Sequence, residues 1–194
     1  MKKSIFGILI MMESLFLGLS LVVALIYGEP CWVVFLGTAA VAFALGFIFK
    51  YLGDREQSAR FTRSDSYLVV ALSWIIFSLI GMIPFLQIAK MDLASAFFET
   101  MSGFTTTGAT CISQIDPLPR SLLFWRAITQ WIGGLGIVVF SFALIPVYEF
   151  RNSNLYSAEV TGLSLDKLRP KIGATARRML LIYLFLTSLC AFMY

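Results

Sequence analysis

Gly103-Phe104-Thr105-Thr106-Thr107-Gly108-Ala109-Thr110 is the stretch that decides the fold of this 194-residue chain. The tract is polar and lies between two long hydrophobic runs, just after an apolar segment, Asp92 to Ser102, too short to cross a bilayer. A spanning helix, a half-length helix, a Thr/Gly loop and another spanning helix, in that order, encode a re-entrant pore loop. Such a loop lies at membrane depth, where irregular backbone is tolerated only if it is buried in protein or lines a wet cavity. Carbonyls facing a narrow wet path are cation ligands. The tract therefore reads as a selectivity filter in a cation-conducting protein. A plain Thr/Gly linker is the bland alternative, and only the surrounding order of segments argues against it.

Within this reading Asp92 caps the half-helix, accepting from N–H groups two or three residues on. Asp92 to Ser102 would run about 16 Å, half the membrane, with the negative end of its dipole pointing inward. Past Gly103 the chain must turn and climb back in an extended form. The carbonyls of Thr106, Thr107, Gly108 and Ala109 are then the candidate ligands. Gly108 permits a positive φ and close approach to an ion. The threonine hydroxyls either bind the ion or tie the loop to its half-helix. Glu99, Gly103, Thr105 and Thr110 are expected to support the loop, Glu99 through backbone N–H groups.

Composition agrees with a membrane setting. Hydrophobic residues make up 59% of the chain and charged residues only 13%, against roughly a quarter charged in a soluble domain. There is no histidine, and the three cysteines, Cys31, Cys111 and Cys190, form no CxxC pair. Most zinc sites and every histidine-based catalytic scheme are thereby excluded. The cysteines read as structural thiols in apolar surroundings. The net charge of +4 reflects membrane orientation rather than nucleic-acid binding.

A membrane span needs roughly 20 helical residues. Ile5 to Tyr27 and Cys31 to Phe49 qualify, joined by the turn Gly28-Glu29-Pro30. Tyr67 to Ala89 is a third span, with Pro84 expected to kink or stop it. Leu122 to Val147 is a fourth. A last apolar run from Met179 to Tyr194, about 24 Å as a helix, falls short of a span. It is expected to be either partly embedded or the start of a helix that continues in the natural protein, the second reading being preferred. The fold class is thus an all-α membrane protein. Residues 1–52 form two preliminary transmembrane helices and 53–66 a cytoplasmic loop. Residues 67–147 form the first helix–pore loop–helix repeat, 148–178 a cytoplasmic linker, and 179–194 the truncated start of the next helix.

Twelve of the fifteen Lys and Arg residues fall on one side of these spans; only Lys90, Arg120 and Arg126 fall on the other. By the positive-inside rule the N-terminus is cytoplasmic and the loop enters from outside.

Two motifs carry a family resemblance. Ala96-Phe97-Phe98-Glu99-Thr100-Met101-Ser102 with the tract that follows resembles the first pore loop of Trk-type bacterial potassium uptake proteins, of the Trk/Ktr/HKT superfamily. Phe124-Trp125-Arg126 with Gln130-Trp131-Ile132-Gly133-Gly134-Leu135-Gly136-Ile137 resembles the start of the second helix of that repeat. Asp116 to Pro119, Tyr156-Ser157-Ala158-Glu159 and Leu168-Arg169-Pro170-Lys171-Ile172 fit the same order of segments. The resemblance implies four helix–loop–helix repeats around one pore, of which this chain holds the first and the opening of the second. It implies potassium as the transported substrate, bound by the carbonyls of Thr106, Thr107 and Gly108, with Gly108 as the glycine associated with potassium preference. It further implies the bacterial inner membrane, passive or ion-coupled transport, a homodimer of complete chains and a cytoplasmic nucleotide-binding regulatory subunit. No cofactor is implied.

Glu13, inside a span, must face protein or water; a structural hydrogen bond is preferred over ion binding. Asp116 reads equally as a turn residue or a cation-concentrating group at the outer mouth. Gly133, Gly134 and Gly136 allow close helix packing. Two other functions stay open: a small homotetrameric potassium channel subunit, and an integral membrane enzyme or noncatalytic scaffold. The enzyme reading lacks clustered intramembrane carboxylates to do the chemistry.

Overall fold

The apolar runs become helices, and the computed structural model describes them over residues 2–55, 63–136 and 169–193. Helix α1 is Lys2–Ile26, α2 is Trp32–Asp54, α3 is Arg63–Gly81, α4 is Ile83–Gln87 and α5 is Leu93–Phe104. Helix α6 is described over residues 120–136, and α7 is Arg169–Met193. Among the described residues there is no strand. Among the described residues, three segments are long and apolar enough to cross a membrane, Ser4–Ile26, Trp32–Asp54 and Leu68–Gln87. Residues 137–147 of the expected fourth span, 148–168 of the expected linker and the Tyr156–Glu159 motif lie outside the described residues.

The chain divides into two units, Met1–Gly133 and Gly134–Tyr194. In the first, α1 and α2 form an antiparallel hairpin. Ile10, Leu17 and Ala24, spaced by seven, are fully buried, as are Phe35 and Ala42 of α2. The backbones meet at Gly46, where a Cβ would lie 2.8 Å from the Gly7 carbonyl oxygen. Only glycine permits so close a crossing. The opposite faces carry exposed Leu15, Leu19 and Val22 on α1 and Val33, Val41, Phe43 and Phe47 on α2. Apolar faces of that extent are what a bilayer covers.

Four of the hydroxyls buried in these helices satisfy themselves on the preceding turn. Thr38 donates to the Val34 carbonyl, Ser73 to Val69, Ser78 to Trp74 and Thr100 to Ala96. Glu13 is different. It is 3% exposed, and neither carboxylate oxygen has a hydrogen-bond partner among the described residues. The structural hydrogen bond expected of it is therefore absent among the described residues.

Pro84 acts as expected. Helix α3 ends at Gly81, and α4 restarts with proline in its first turn, where a missing N–H costs nothing. The Gly81 carbonyl left by this break accepts from the buried Trp125 indole at 2.9 Å. Trp125 also packs edge-on against Phe104, which touches Trp74 and Phe77. This aromatic cluster fixes α3, α5 and α6 around the end of the half-helix.

In the second unit, α7 starts at Arg169, ten residues before the apolar run at Met179. The helix is 25 residues long, since a basic first part can continue an apolar helix as long as proline stays in the first turn.

Candidate functional site

The half-helix α5 begins as the sequence predicts. Asp92 is its N-cap, extended in backbone, and its Oδ2 accepts from the Ser95 N–H at 3.1 Å. Hydrogen bonds from Ser95, side chain first and then backbone, hold the Asp92 carboxyl below its ordinary value. The far end differs from expectation: the helix continues through Gly103 to Phe104, and the turn falls at Thr105 and Thr106.

That turn is a Schellman cap. The Thr107 N–H donates to the Ser102 carbonyl and the Thr106 N–H to the Gly103 carbonyl, both at 2.9 Å. The residue between them must be left-handed, and Thr106 has φ 56°. Glycine usually fills this place. A β-branched threonine there is a backbone outlier, costing on the order of 1–3 kcal/mol. Gly108 is left-handed as well, at φ 75°, as its sequence position requires.

Two reversals within three residues leave residues 105–110 exposed. Among the described residues, no donor reaches the carbonyls of Thr105, Thr106, Thr107 or Gly108. The Ala109 carbonyl, by contrast, accepts from the Ser102 hydroxyl at 2.6 Å, which leaves one of its lone pairs free. Hydroxyls of the tract turn back to protein: Thr105 Oγ1 donates to the Met101 carbonyl and lies 2.8 Å from Thr107 Oγ1.

The outgoing side of the loop is tied to Glu99. Glu99 is 3% exposed as a residue and 1% exposed in its side chain. It accepts from the Cys111 N–H at 3.0 Å and from the Thr110 hydroxyl at 2.9 Å. Arg126 of α6 completes the set, with Nε 2.6 Å from Glu99 Oε1. A buried carboxylate holding an N–H, a hydroxyl and a guanidinium is well satisfied.

Helix α6 lies behind the loop along one face, Arg126, Thr129, Gln130 and Gly133. A Cβ on Gly103 would collide with the Thr129 hydroxyl, and one on Gly133 with the Phe104 carbonyl oxygen. A Cβ on Gly108 would have only Gln130 Nε2 near it, at 3.8 Å.

The structure brings together Glu99, Gly103 and the whole tract from Thr105 to Thr110. Asp116 takes no part in these contacts. Sequence reasoning passed over Arg126 and Gln130 as site residues and Thr106 as a strained one. A lone arginine in an apolar helix needs a partner, and that signal could have found Arg126. Among the described residues, no cluster of three or more His, Cys, Asp or Glu side chains could hold a metal ion. Of the cysteines, Cys111 and Cys190 are exposed and Cys31 is half-buried. Cys31 packs against the apolar core, as expected, while its thiol also lies beside Glu29 and Ser121.

Residues 33–194 match the TrkH family, described as cation transport protein. The chain belongs to the TrkH family. The Trk system potassium uptake protein TrkH of Salmonella typhimurium is 38% identical over 190 residues, covering 96% of this chain and 39% of that protein. TrkH of Escherichia coli K12 is 36% identical over the same share of both chains. The crystal structure of the potassium transporter TrkH from Vibrio parahaemolyticus matches with a TM-score of 0.75 at 32% identity, covering 94% of this chain and 36% of that one. The chain thus spans about two fifths of the length of these relatives. It is an all-α membrane protein with the TrkH fold, and its family is one of transporters rather than enzymes.

Proposed function

We propose that this chain forms part of the pore of a potassium uptake transporter and carries the first of four filter loops. The observation that carries this reading is the row of exposed carbonyls from Thr105 to Gly108, without donors among the described residues, on a loop pinned at both ends. Oxygen dipoles held in this way replace an ion's hydration shell. The ligands would be the carbonyls of Thr106, Thr107 and Gly108, with the free lone pair of Ala109. Glu99, Gly103, Thr105 and Thr110 hold the loop. The strain at Thr106 supports the assignment, since such outliers gather where function fixes the backbone. Potassium as cargo follows the names of the relatives. A homodimer of complete chains and a cytoplasmic nucleotide-binding regulatory subunit are carried over by family resemblance alone.

The test is Gly108→Ser in the full-length protein, in a host lacking its own potassium uptake. A Cβ at φ 75° is strained whatever space surrounds it. The carbonyl of residue 108 should therefore rotate, and discrimination of potassium from sodium should fall while the protein still reaches the membrane. Equal ion ratios in variant and wild type would remove Gly108 from the filter.

The inner-membrane orientation, with the N-terminus cytoplasmic, rests on the lysine and arginine split. Cysteines introduced one at a time into a cysteine-free background test it. A cysteine beside Asp116 should react with an impermeant reagent added outside, and one in the loop before Asp65 should not. The reverse pattern would invert the topology.

A further inference from the structure

Helix α6 lacks a cap of its own. The Pro119 carbonyl accepts the first helical hydrogen bonds, from Leu122 and Leu123 at 3.0 and 3.1 Å, so Pro119 is the N-cap. Proline has no side-chain oxygen to offer the free N–H groups of the first turn. Glu29 supplies one from the turn between α1 and α2. Its Oε1 accepts from the Arg120 N–H at 2.7 Å and its Oε2 from the Ser121 N–H at 3.2 Å. The Ser121 hydroxyl also donates to Oε2, and the Cys31 thiol lies 3.5 Å from it. Beside this cap, the Arg120 guanidinium stacks over the Tyr27 ring at 4.8 Å. The turn of the preliminary hairpin therefore grips the first two residues of α6 from 91 and 92 positions away.

We propose that Glu29 is a positioning residue for the filter loop, acting through α6. The proposal rests on the filter reading above. The same helix carries Arg126, which holds Glu99 and through it Thr110 and Cys111. It also carries Thr129 and Gln130, which lie beside Gly103 and Gly108. A helix transmits a shift or rotation at its first turn along its length, and Gln130 is only about 15 Å from Arg120 along the axis. Glu29 thus sets the register of the face that backs the filter. This gives the preliminary hairpin a role in selectivity that membrane anchoring alone would not require.

The experiment uses the full-length protein in proteoliposomes, with Glu29→Ala, Glu29→Gln, Ser121→Ala and Gly108→Ser compared with wild type. Potassium and sodium uptake are measured, with the KM and maximal rate for potassium. Glu29→Ala should lower the potassium-to-sodium ratio by about two- to tenfold and raise KM more than it lowers the maximal rate. Glu29→Gln keeps an acceptor for the Arg120 N–H and should recover part of the ratio. Ser121→Ala should shift the ratio in the same direction by less. A cap that only stabilised the fold would lower the thermal midpoint and leave the ratio alone. That result in Glu29→Ala, alongside an altered ratio in Gly108→Ser, overturns the proposal and spares the filter. If Glu29→Ala does not reach the membrane, unaltered ratios in both Glu29→Gln and Ser121→Ala overturn it. An unaltered ratio in Gly108→Ser overturns the filter reading and this proposal with it.

Discussion

Glu99 and Arg126 join the half-helix α5 to the helix that follows the loop, with Oε1 and Nε 2.6 Å apart and the carboxylate side chain 1% exposed. Twenty-seven residues separate them, and the whole candidate filter lies in between. Removing the guanidinium leaves a buried carboxylate without the cation that pairs with it. Arg126→Leu should therefore destabilise the protein by about 3 kcal/mol and impair uptake. The thermal midpoint of the full-length protein in detergent checks this. Combined with Glu99→Gln, the loss should be smaller than the sum of the two single losses, because the orphaned charge is then absent. Additive losses would mean that the pair is not coupled.

The close contact of α6 with the loop makes a second prediction, about three glycines. A Cβ on Gly133 would run into the Phe104 carbonyl oxygen, which is backbone and cannot swing aside. Gly133→Ala should cost on the order of 1–3 kcal/mol. Gly103→Ala meets the Thr129 side chain, which has other rotamers, and should cost less. Gly18 of α1 has nothing within 4 Å of its would-be Cβ, so Gly18→Ala should be neutral or stabilise by up to about 1 kcal/mol through helix propensity. Thermal midpoints that do not fall in this order would contradict the packing described for α5 and α6.

A third concerns acid. Burial alone would push the Glu29 carboxyl up, but hydrogen bonds from the Ser121 hydroxyl and N–H, the Arg120 N–H and the Cys31 thiol bring it below 4.5. A carboxyl lowered on folding contributes stability above its unfolded value and loses that contribution as pH falls through the folded one. The Cys31 thiol, raised by burial and by Glu29, stays protonated throughout that window. Wild type should be more stable than Glu29→Gln at neutral pH, and the gap should close below the ordinary carboxylate value of 4.5. Midpoints measured across that range test it; a gap that widens in acid would give Glu29 the opposite sign.

These residues also mark how far the sequence could be read. The first three spans, the half-helix and the loop were legible because hydropathy, length and the Asp92 cap are local signals. Thr106 was not, because a Schellman turn is set by where the helix stops, and threonine gives no hint of positive φ. Glu29 reads as an ordinary turn residue until Pro119, ninety positions on, is seen to start a helix it cannot cap. Glu13 was expected to find a donor, yet neither of its carboxylate oxygens has one among the described residues. The basic first part of α7 hid its start at Arg169, because a charged stretch before an apolar run carries no hydropathy signal. Local pattern predicts elements, and long-range pairing decides which residues hold them.

The last prediction is that a polypeptide of these 194 residues, expressed alone, inserts in membranes but carries no potassium. On the filter reading, one loop supplies a quarter of the carbonyls that would replace an ion's hydration shell. The free carbonyls of residues 105–108 would then lack neighbouring loops at membrane depth, where each unsatisfied group costs several kcal/mol. The loop should be loose in the isolated polypeptide, and hydrogen exchange at Thr107 and Gly108 should be faster there than in the full-length protein. Four copies could complete a ring only if α1, α2 and α7 fit around it. Potassium-selective flux from the purified 194-residue polypeptide in liposomes would establish that ring and favour the homotetrameric channel over a pore built from four loops of one chain.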